Sequence, residues 1–153
     1  MPEYARGARS STSNFTPGRP ASPHRPVPPH RRQWVLPGRP DQVAQARRLV
    51  AESLTACPAA ADAVLLTSEL AANAVLHTAS GSGGTFGVTV SHDASLVRVE
   101  VHDAGAPTAP VIVAGDGLRP SGRGLALVAV LAARWGQQGN ERGRAVWFEL
   151  DCP

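Results

Sequence analysis

The apolar positions along the chain repeat with two different periods, which predict a chain of alternating strands and helices. Ala46, Val50 and Leu54 recur every four residues, as on one face of an α-helix. Valine-rich runs such as 96–102 have the composition and length of β-strands. The predicted elements are a strand at 33–36, helices at 40–57 and 59–77, a hairpin of strands at 85–91 and 96–102, a helix at 123–133, and a second hairpin of strands at 134–138 and 144–150.

The order of these elements predicts a two-layer α/β (α+β) sandwich. Strand, two helices, hairpin, long loop, helix and hairpin follow one another, and strands joined by short turns pair antiparallel. We therefore expect a mixed, mostly antiparallel sheet with the helices on one face. Residues 105–122 hold several glycines and prolines and are predicted to form a long mobile loop.

The N-terminal residues differ in composition from the rest of the chain. Residues 1–32 contain seven prolines among serine, glycine and arginine, so we predict a disordered tail there and one domain over 33–153. Seven of the fifteen basic residues lie in 1–40 against one acid, Glu3, whereas the remaining residues carry eight arginines and eleven acids. The acidic balance of the domain argues against a nucleic-acid binder, and a solvated tail is favoured.

The sequence excludes two common classes of nucleotide-using protein. All of its basic residues are arginine, and it contains no lysine. A P-loop needs a lysine on the nucleotide phosphates, and a eukaryotic-type kinase needs one on its third strand. Neither class fits.

The cysteines and the hydropathy predict the compartment. Cys57 and Cys152 lie far apart and match no metal-ligand spacing, so two reduced thiols are expected. The sequence has no apolar run long enough to span a membrane and no signal-peptide pattern. A cytoplasmic protein that does not enter the membrane is the resulting expectation.

Three groups of residues are candidates for chemistry. The first comprises Glu69, Asn73 and His77, which are spaced four residues apart and so lie along one stripe of the second helix. A carboxylate can accept a proton, and a carboxamide oxygen can bind Mg²⁺. The alternative is an ordinary solvent-facing polar stripe.

The second group, Asp103-Ala104-Gly105, directly follows a strand. A carboxylate there can accept the amine of adenine, and glycine allows a flat base to approach the backbone. The third group is Gly122-Arg123-Gly124 at the start of the last helix, where exposed N–H groups form a phosphate site. Each group alone is also consistent with an ordinary turn or a flexible helix entry.

Together, these groups resemble the N, G1 and G2 boxes of the Bergerat-fold (GHKL) ATPase superfamily, which includes gyrase, sensor histidine kinases and mismatch-repair ATPases. The resemblance is strongest to the small anti-sigma regulatory serine kinases and their short relatives in high-GC bacteria. It covers residues 33–151 and is carried, in order, by the runs SELAANAVLHT, VEVHDAG, GRGLALVAVLAARWG and AVWFEL.

The resemblance implies a Bergerat ATP-binding fold, ATP and Mg²⁺ as cofactors, and a role for each residue. Glu69 would be the general base, Asn73 the Mg²⁺ ligand, Asp103 the acceptor of the adenine amine, and Gly105 the floor of the base pocket. Gly122 and Gly124 would form the hinge of a lid and meet the phosphates, Arg123 would contact phosphate or solvent, and His77 would be a structural or lid contact.

The sequence departs from the family pattern at two positions. Relatives carry a threonine in the last strand that helps to hold the adenine amine, and the matching residue here is Ala145. Pro107 stands where a second G1 glycine is common. The first departure predicts weaker nucleotide binding.

Two functions follow from the resemblance. The first is a serine/threonine protein kinase that transfers the ATP γ-phosphate to an antagonist protein and sequesters a sigma factor. The second is a non-catalytic, nucleotide-gated module that regulates a transcription factor. Intact Glu69 and Asn73 favour the kinase, whereas Ala145 favours the binding module. Because His24 and His30 lie in the proline-rich tail, a self-phosphorylating sensor kinase is not expected. A homodimer is expected by analogy with the family.

Overall fold

Strand β1 starts at His30, three residues before the predicted domain boundary. The computed structural model describes residues 26–105 and 120–153, with the backbone alone for 120–124. The predicted disordered tail, up to residue 25, and most of the predicted loop lie outside the described residues. The described elements are β1 (His30–Pro37), α1 (Pro40–Ser53), α2 (Ala60–His77), a short 3₁₀ turn (Ala79–Gly81), β2 (Thr85–His92), β3 (Leu96–Asp103), α3 (Pro120–Leu131), β4 (Arg134–Asn140) and β5 (Gly143–Asp151).

The five described strands form one sheet in the order β1-β2-β3-β5-β4, and every described pair is antiparallel. The predicted α/β two-layer fold is confirmed, and β1 lies at an edge as expected. Strands β3 and β4 run in the same direction, but they do not pair because β5 lies between them. The hairpin turn of β4 and β5 is at Glu141-Arg142, within the interval between the predicted strands at 134–138 and 144–150.

Local sequence explains where the helices begin. Proline occupies the first turn of both α1 and α3, where its missing N–H costs nothing and its fixed φ suits the helix. Helix α3 therefore starts at Pro120, three residues before the predicted start at residue 123. Helix α1 ends at Ser53, before Cys57-Pro58, and Leu54 caps it with a backbone hydrogen bond to Ala51.

The core lies between the helices and one face of the sheet. On β3, Val97, Val99 and Val101 are buried in the core, whereas the residues between them are only partly buried. Helix α2 contributes the largest helical share of this core and packs against α1, α3 and β3. Each fully buried valine or leucine stabilises the fold by about 1.5–3 kcal/mol.

The other face of the sheet carries a cross-strand ion network. Glu149 on β5 lies opposite Arg98 on β3 and Arg134 on β4, and its carboxylate approaches their guanidinium groups at 3.1 and 2.8 Å. Arg98 also lies 4.0 Å from the ring centroid of Trp147 and 2.9 Å from Glu100. Opposite charges directly across two strand pairs favour this register of β3, β5 and β4.

The two cysteines form a disulfide bond between Cys57 and Cys152. The expectation of two reduced thiols is therefore wrong. Their separation of 95 residues concealed the contact, because the loop after α1 and the chain after β5 meet beside the turn between β2 and β3. There the N–H of Cys152 donates to the carbonyl of Ser95 at 2.8 Å.

We expect Cys152→Ser to lower the free energy of unfolding by about 2–4 kcal/mol, because a bridge across a long loop restricts the unfolded chain. Thermal unfolding of oxidised protein with and without dithiothreitol measures the effect. Dithiothreitol should lower the Tm of the wild type toward that of Cys152→Ser and leave the variant unchanged. Equal melting of the wild type in both buffers would contradict the stabilising role of the bridge.

Candidate functional site

Glu69 and Asn73 occupy the predicted stripe of α2. Both side chains are half-buried, and Leu70 and Ala74 beside them are buried in the core. Neither side chain hydrogen-bonds to another residue that the structure describes, so the carboxylate and the carboxamide retain their binding capacity. His77, the last residue of α2, is exposed. The alternative of a fully solvent-facing stripe therefore fits His77 alone.

A cleft of about 500 Å³ opens where α2 ends. Its described lining consists of His77, Thr78, Ala79, Ser82, Ala104, Gly105, Glu141 and Arg142. The structure thus brings His77 and Gly105 together. Asn73 and Glu69 are not part of this lining, and lie one and two helical turns further from its edge, about 6 and 12 Å along the helix axis.

Two hydroxyl side chains connect the end of α2 to the end of β3. Thr78 Oγ1 donates to the carbonyl of Ala74 at 2.6 Å and accepts from the N–H of Ser80 at 3.1 Å. The fully buried Ser80 accepts at Oγ from the N–H of Ala104 at 2.9 Å. Each such bond contributes about 0.5–1.5 kcal/mol. Together they fix the position of the N box, at the end of α2, relative to the G1 box, at the end of β3.

The sequence patterns do not single out Thr78 and Ser80, which lie between the predicted helix at 59–77 and the predicted strand at 85–91. The available signal was a hydroxyl residue directly after a helix. Serine and threonine there commonly bond to nearby backbone groups. The 3₁₀ turn at Ala79–Gly81 is the result.

Gly105 is required by its backbone conformation and by its surroundings. Its φ is +84°, and a Cβ atom would lie 2.0 Å from the carbonyl oxygen of Glu141. Only glycine combines this φ with such close contact at little cost. The turn at Glu141-Arg142 thus packs on the G1 box and forms one wall of the cleft, which sequence analysis did not foresee.

Asp103 ends β3 and is half-buried. Its Oδ1 accepts from the N–H of Gly105 at 2.6 Å, and its Oδ2 makes no hydrogen bond to the described residues. Burial raises the pKa of Asp103, and the Gly105 N–H, Arg144 and His102 oppose that rise without cancelling it. Asp103 is not part of the lining of the cleft, although the next two residues, Ala104 and Gly105, are. A carboxylate with one oxygen unpartnered among the described residues suits the acceptor role that the sequence predicted.

The sheet register revises the comparison made for Ala145. Ala145 lies opposite His102, whereas Arg144 lies opposite Asp103. Because side chains alternate between faces along a strand, Arg144 and Asp103 share one face and Ala145 lies on the other. The departure from the family pattern therefore applies to Arg144 and not to Ala145, and β5 contains no threonine. Counting along one strand could not reveal this, since the face depends on pairing with β3.

Gly122, Arg123 and Gly124 lie within the first two turns of α3, which starts at Pro120. The first backbone N–H groups of a helix have no partner within it, and Gly122 and Arg123 are close enough to its start to contribute theirs. A phosphate role for these three residues remains a prediction.

In the described parts of the chain no group of three or more histidine, cysteine, aspartate or glutamate side chains could hold a metal ion. Mg²⁺ in nucleotide sites takes only one or two protein ligands and completes its shell with phosphate and water oxygens. A single carboxamide such as Asn73 fits that chemistry.

None of the helices in the described residues has the length and apolar character that crossing a membrane requires.

The comparison with known proteins agrees with this geometry. A family model described as histidine kinase-like ATPase domain matches residues 36–150, which include every residue of the three predicted boxes. Among curated proteins, no significant match is found. The family match spans most of the 153 residues and confirms the resemblance drawn from the motifs. The chain therefore belongs to the histidine kinase-like ATPase domain family, whose domains bind ATP.

Proposed function

We propose that this protein is an ATP-dependent regulatory kinase of the anti-sigma type, which transfers the γ-phosphate of Mg·ATP to a serine of a small antagonist protein. The observation that carries the proposal is the pair Glu69 and Asn73, half-buried and one turn apart on the helix that ends at the cleft. A domain that only bound nucleotide would need no proton acceptor beside its metal ligand. A sigma factor is the proposed second partner.

Nucleotide recognition is assigned to the G1 box. Asp103 Oδ2 accepts a hydrogen bond from the exocyclic amine of adenine, while Oδ1 keeps its hydrogen bond from the N–H of Gly105. Gly105 has no side chain, so a flat base can lie against the backbone. A cleft of about 500 Å³ falls within the range of small-molecule sites. Guanine carries a carbonyl oxygen where adenine carries the amine. A carboxylate cannot hydrogen-bond to it, because both groups are acceptors.

The proposed chemistry divides between two side chains. Mg·ATP, when bound, supplies the transferable phosphoryl group and the charge neutralisation that lowers its barrier. Asn73 holds the metal through its carboxamide oxygen. Glu69 accepts the proton of the attacking serine hydroxyl. His77 and the glycines at 122 and 124 border the site and contact the lid or the phosphates.

The alternative is a nucleotide-gated binding module without catalysis. Its support is the missing family threonine, because Arg144, which shares a face with Asp103, is not a threonine. The binding module remains the function that a negative kinase result would favour.

The first prediction for this site concerns nucleotide binding. We expect Mg·ATP or Mg·ADP to raise the Tm of the protein, because a ligand that binds only the native state stabilises it. Asp103→Asn should abolish most of this shift, and GTP should produce little. Asp62→Asn, an exposed position in the first turn of α2, is the matched control. An equal shift with GTP, or none with millimolar Mg·ATP, would refute the adenine assignment.

The second prediction concerns catalysis. Glu69→Gln keeps the shape and removes the base, so it should retain ATP binding and lose transfer of labelled γ-phosphate to the antagonist by about 10²–10⁴-fold. Asn73→Ala should weaken both. Glu52→Gln, exposed on α1, should change neither.

The assay uses an antagonist that co-purifies from the native host, with a binding measurement beside each transfer measurement. If the wild type transfers no phosphate to it, yet binds it in an ATP-dependent way, the kinase proposal is wrong and the binding module replaces it.

A further inference from the structure

We propose that Arg144 is a positioning residue of the nucleotide site, whose buried guanidinium keeps the Asp103 carboxylate charged and able to accept the adenine amine. The inference rests on the proposed function, because it concerns the group to which adenine recognition is assigned. It adds a residue that none of the three boxes contains.

The geometry comes from the pairing of β3 with β5. Val101 lies opposite Val146, and Asp103 lies opposite Arg144, two residues further along both strands. The two valines belong to the core between sheet and helices. Side chains on a strand return to the same face at every second residue. Asp103 and Arg144 therefore lie on the same face as the two valines, at the end of the sheet where the cleft opens.

Arg144 is only 8% exposed. Arginine is seldom buried to this degree unless its charge is satisfied, and it does not lose its proton in proteins. It therefore provides a permanent positive charge on the face of the sheet that carries Asp103. The turn at Glu141-Arg142, packed on Gly105, leads directly into this part of β5 and fixes its position.

A permanent charge matters here because Asp103 has to be ionised to work. A protonated carboxyl group presents an O–H, and a donor cannot accept from the amine of adenine. Burial favours the protonated form and raises the pKa of Asp103, while the N–H of Gly105 and the charge of Arg144 act in the opposite direction. Without Arg144 the carboxyl would hold its proton to higher pH.

Other ionisable groups near Asp103 do not replace Arg144. His102 also lowers the pKa of Asp103, but it lies on the opposite face of the sheet, 3.5 Å from Glu100. His77 on α2, and Glu141 and Arg142 in the turn, line the same cleft and are not among the groups that shift this pKa. Among the described residues, Arg144 is thus the cation on the same face that lowers the pKa of Asp103.

The first measurement needs no nucleotide. Carboxyl ¹³C NMR follows the titration of Asp103 in the wild type, Arg144→Gln, Arg144→Lys and the control Arg48→Gln, which is exposed on α1. We expect the pKa of Asp103 to rise by about 1 in Arg144→Gln, the lower end of the effect of removing a neighbouring opposite charge. Arg144→Lys and Arg48→Gln should titrate like the wild type. An unchanged titration in Arg144→Gln would overturn the proposal.

The second measurement is the affinity for Mg·ADP between pH 5 and 8. A raised pKa removes the charged acceptor as pH falls, so the affinity of Arg144→Gln should fall at higher pH than that of the wild type. A pKa difference of about 1 limits the gap between them to about tenfold, reached at the acid end of the range. At pH 8 the two should agree. Arg144→Lys should follow the wild type. A loss in Arg144→Gln of equal size at every pH would indicate a merely structural role and overturn the proposal.

Two controls keep these results interpretable. Thermal unfolding without nucleotide shows whether Arg144→Gln folds, and Arg144→Met, also neutral but more apolar, replaces it if it does not. If wild-type protein binds no nucleotide at any pH while the NMR titration shifts as expected, the proposed nucleotide function fails, whereas the coupling of Arg144 to Asp103 stands.

Discussion

The antiparallel register of β3 against β5 is the constraint on which the candidate site depends. It places Arg144 opposite Asp103 and ends both strands where the Glu141-Arg142 turn packs on Gly105. A slip of one residue would move every side chain of β5 to the other face, exchanging Arg144 for Ala145 at the site. The ion pairs of Glu149 with Arg98 and Arg134 oppose such a slip, because each arginine lies directly across from the carboxylate.

Helix α2 joins this sheet to the proposed chemistry. One of its sides supplies core residues such as Leu66 and Leu70, while Glu69 and Asn73 stay half-buried beside them. The helix cannot shift freely along the sheet, because Thr78 and Ser80 bond its C-terminal end to the strand end at Ala104. The side chains with proposed roles, Glu69, Asn73 and Asp103, are thus carried on elements that these two hydroxyl side chains hold together.

The disulfide acts at the opposite end of the molecule from the cleft. Cys152 follows β5 and bonds to Ser95, just before β3, whereas the site lies at the other ends of these two strands. An eight-residue strand separates the two by about 23 Å. The bridge therefore holds the end of the sheet that lies away from the candidate site.

Much of the architecture was determined by local sequence. Helical spacing, prolines at helix starts and short valine-rich strands depend on neighbours within a few residues, so α1, α2 and both hairpins were predicted within a few residues of their bounds. The stripe of Glu69, Asn73 and His77 follows from helix geometry in the same way. Each of these features belongs to a single helix or strand and depends on residues close in sequence. The order of the three family motifs along the chain then indicated the fold.

What the tertiary structure decided were relations between distant segments. The Cys57–Cys152 bridge, the bond between Ser80 and Ala104, and the contact of Gly105 with Glu141 each join residues that no local pattern connects. For the same reason, the sequence could not show that Arg144, and not Ala145, shares a face with Asp103. The alternation of side chains along a strand shows which residues share a face. Only the pairing of that strand with its neighbours shows which face lies toward the candidate site.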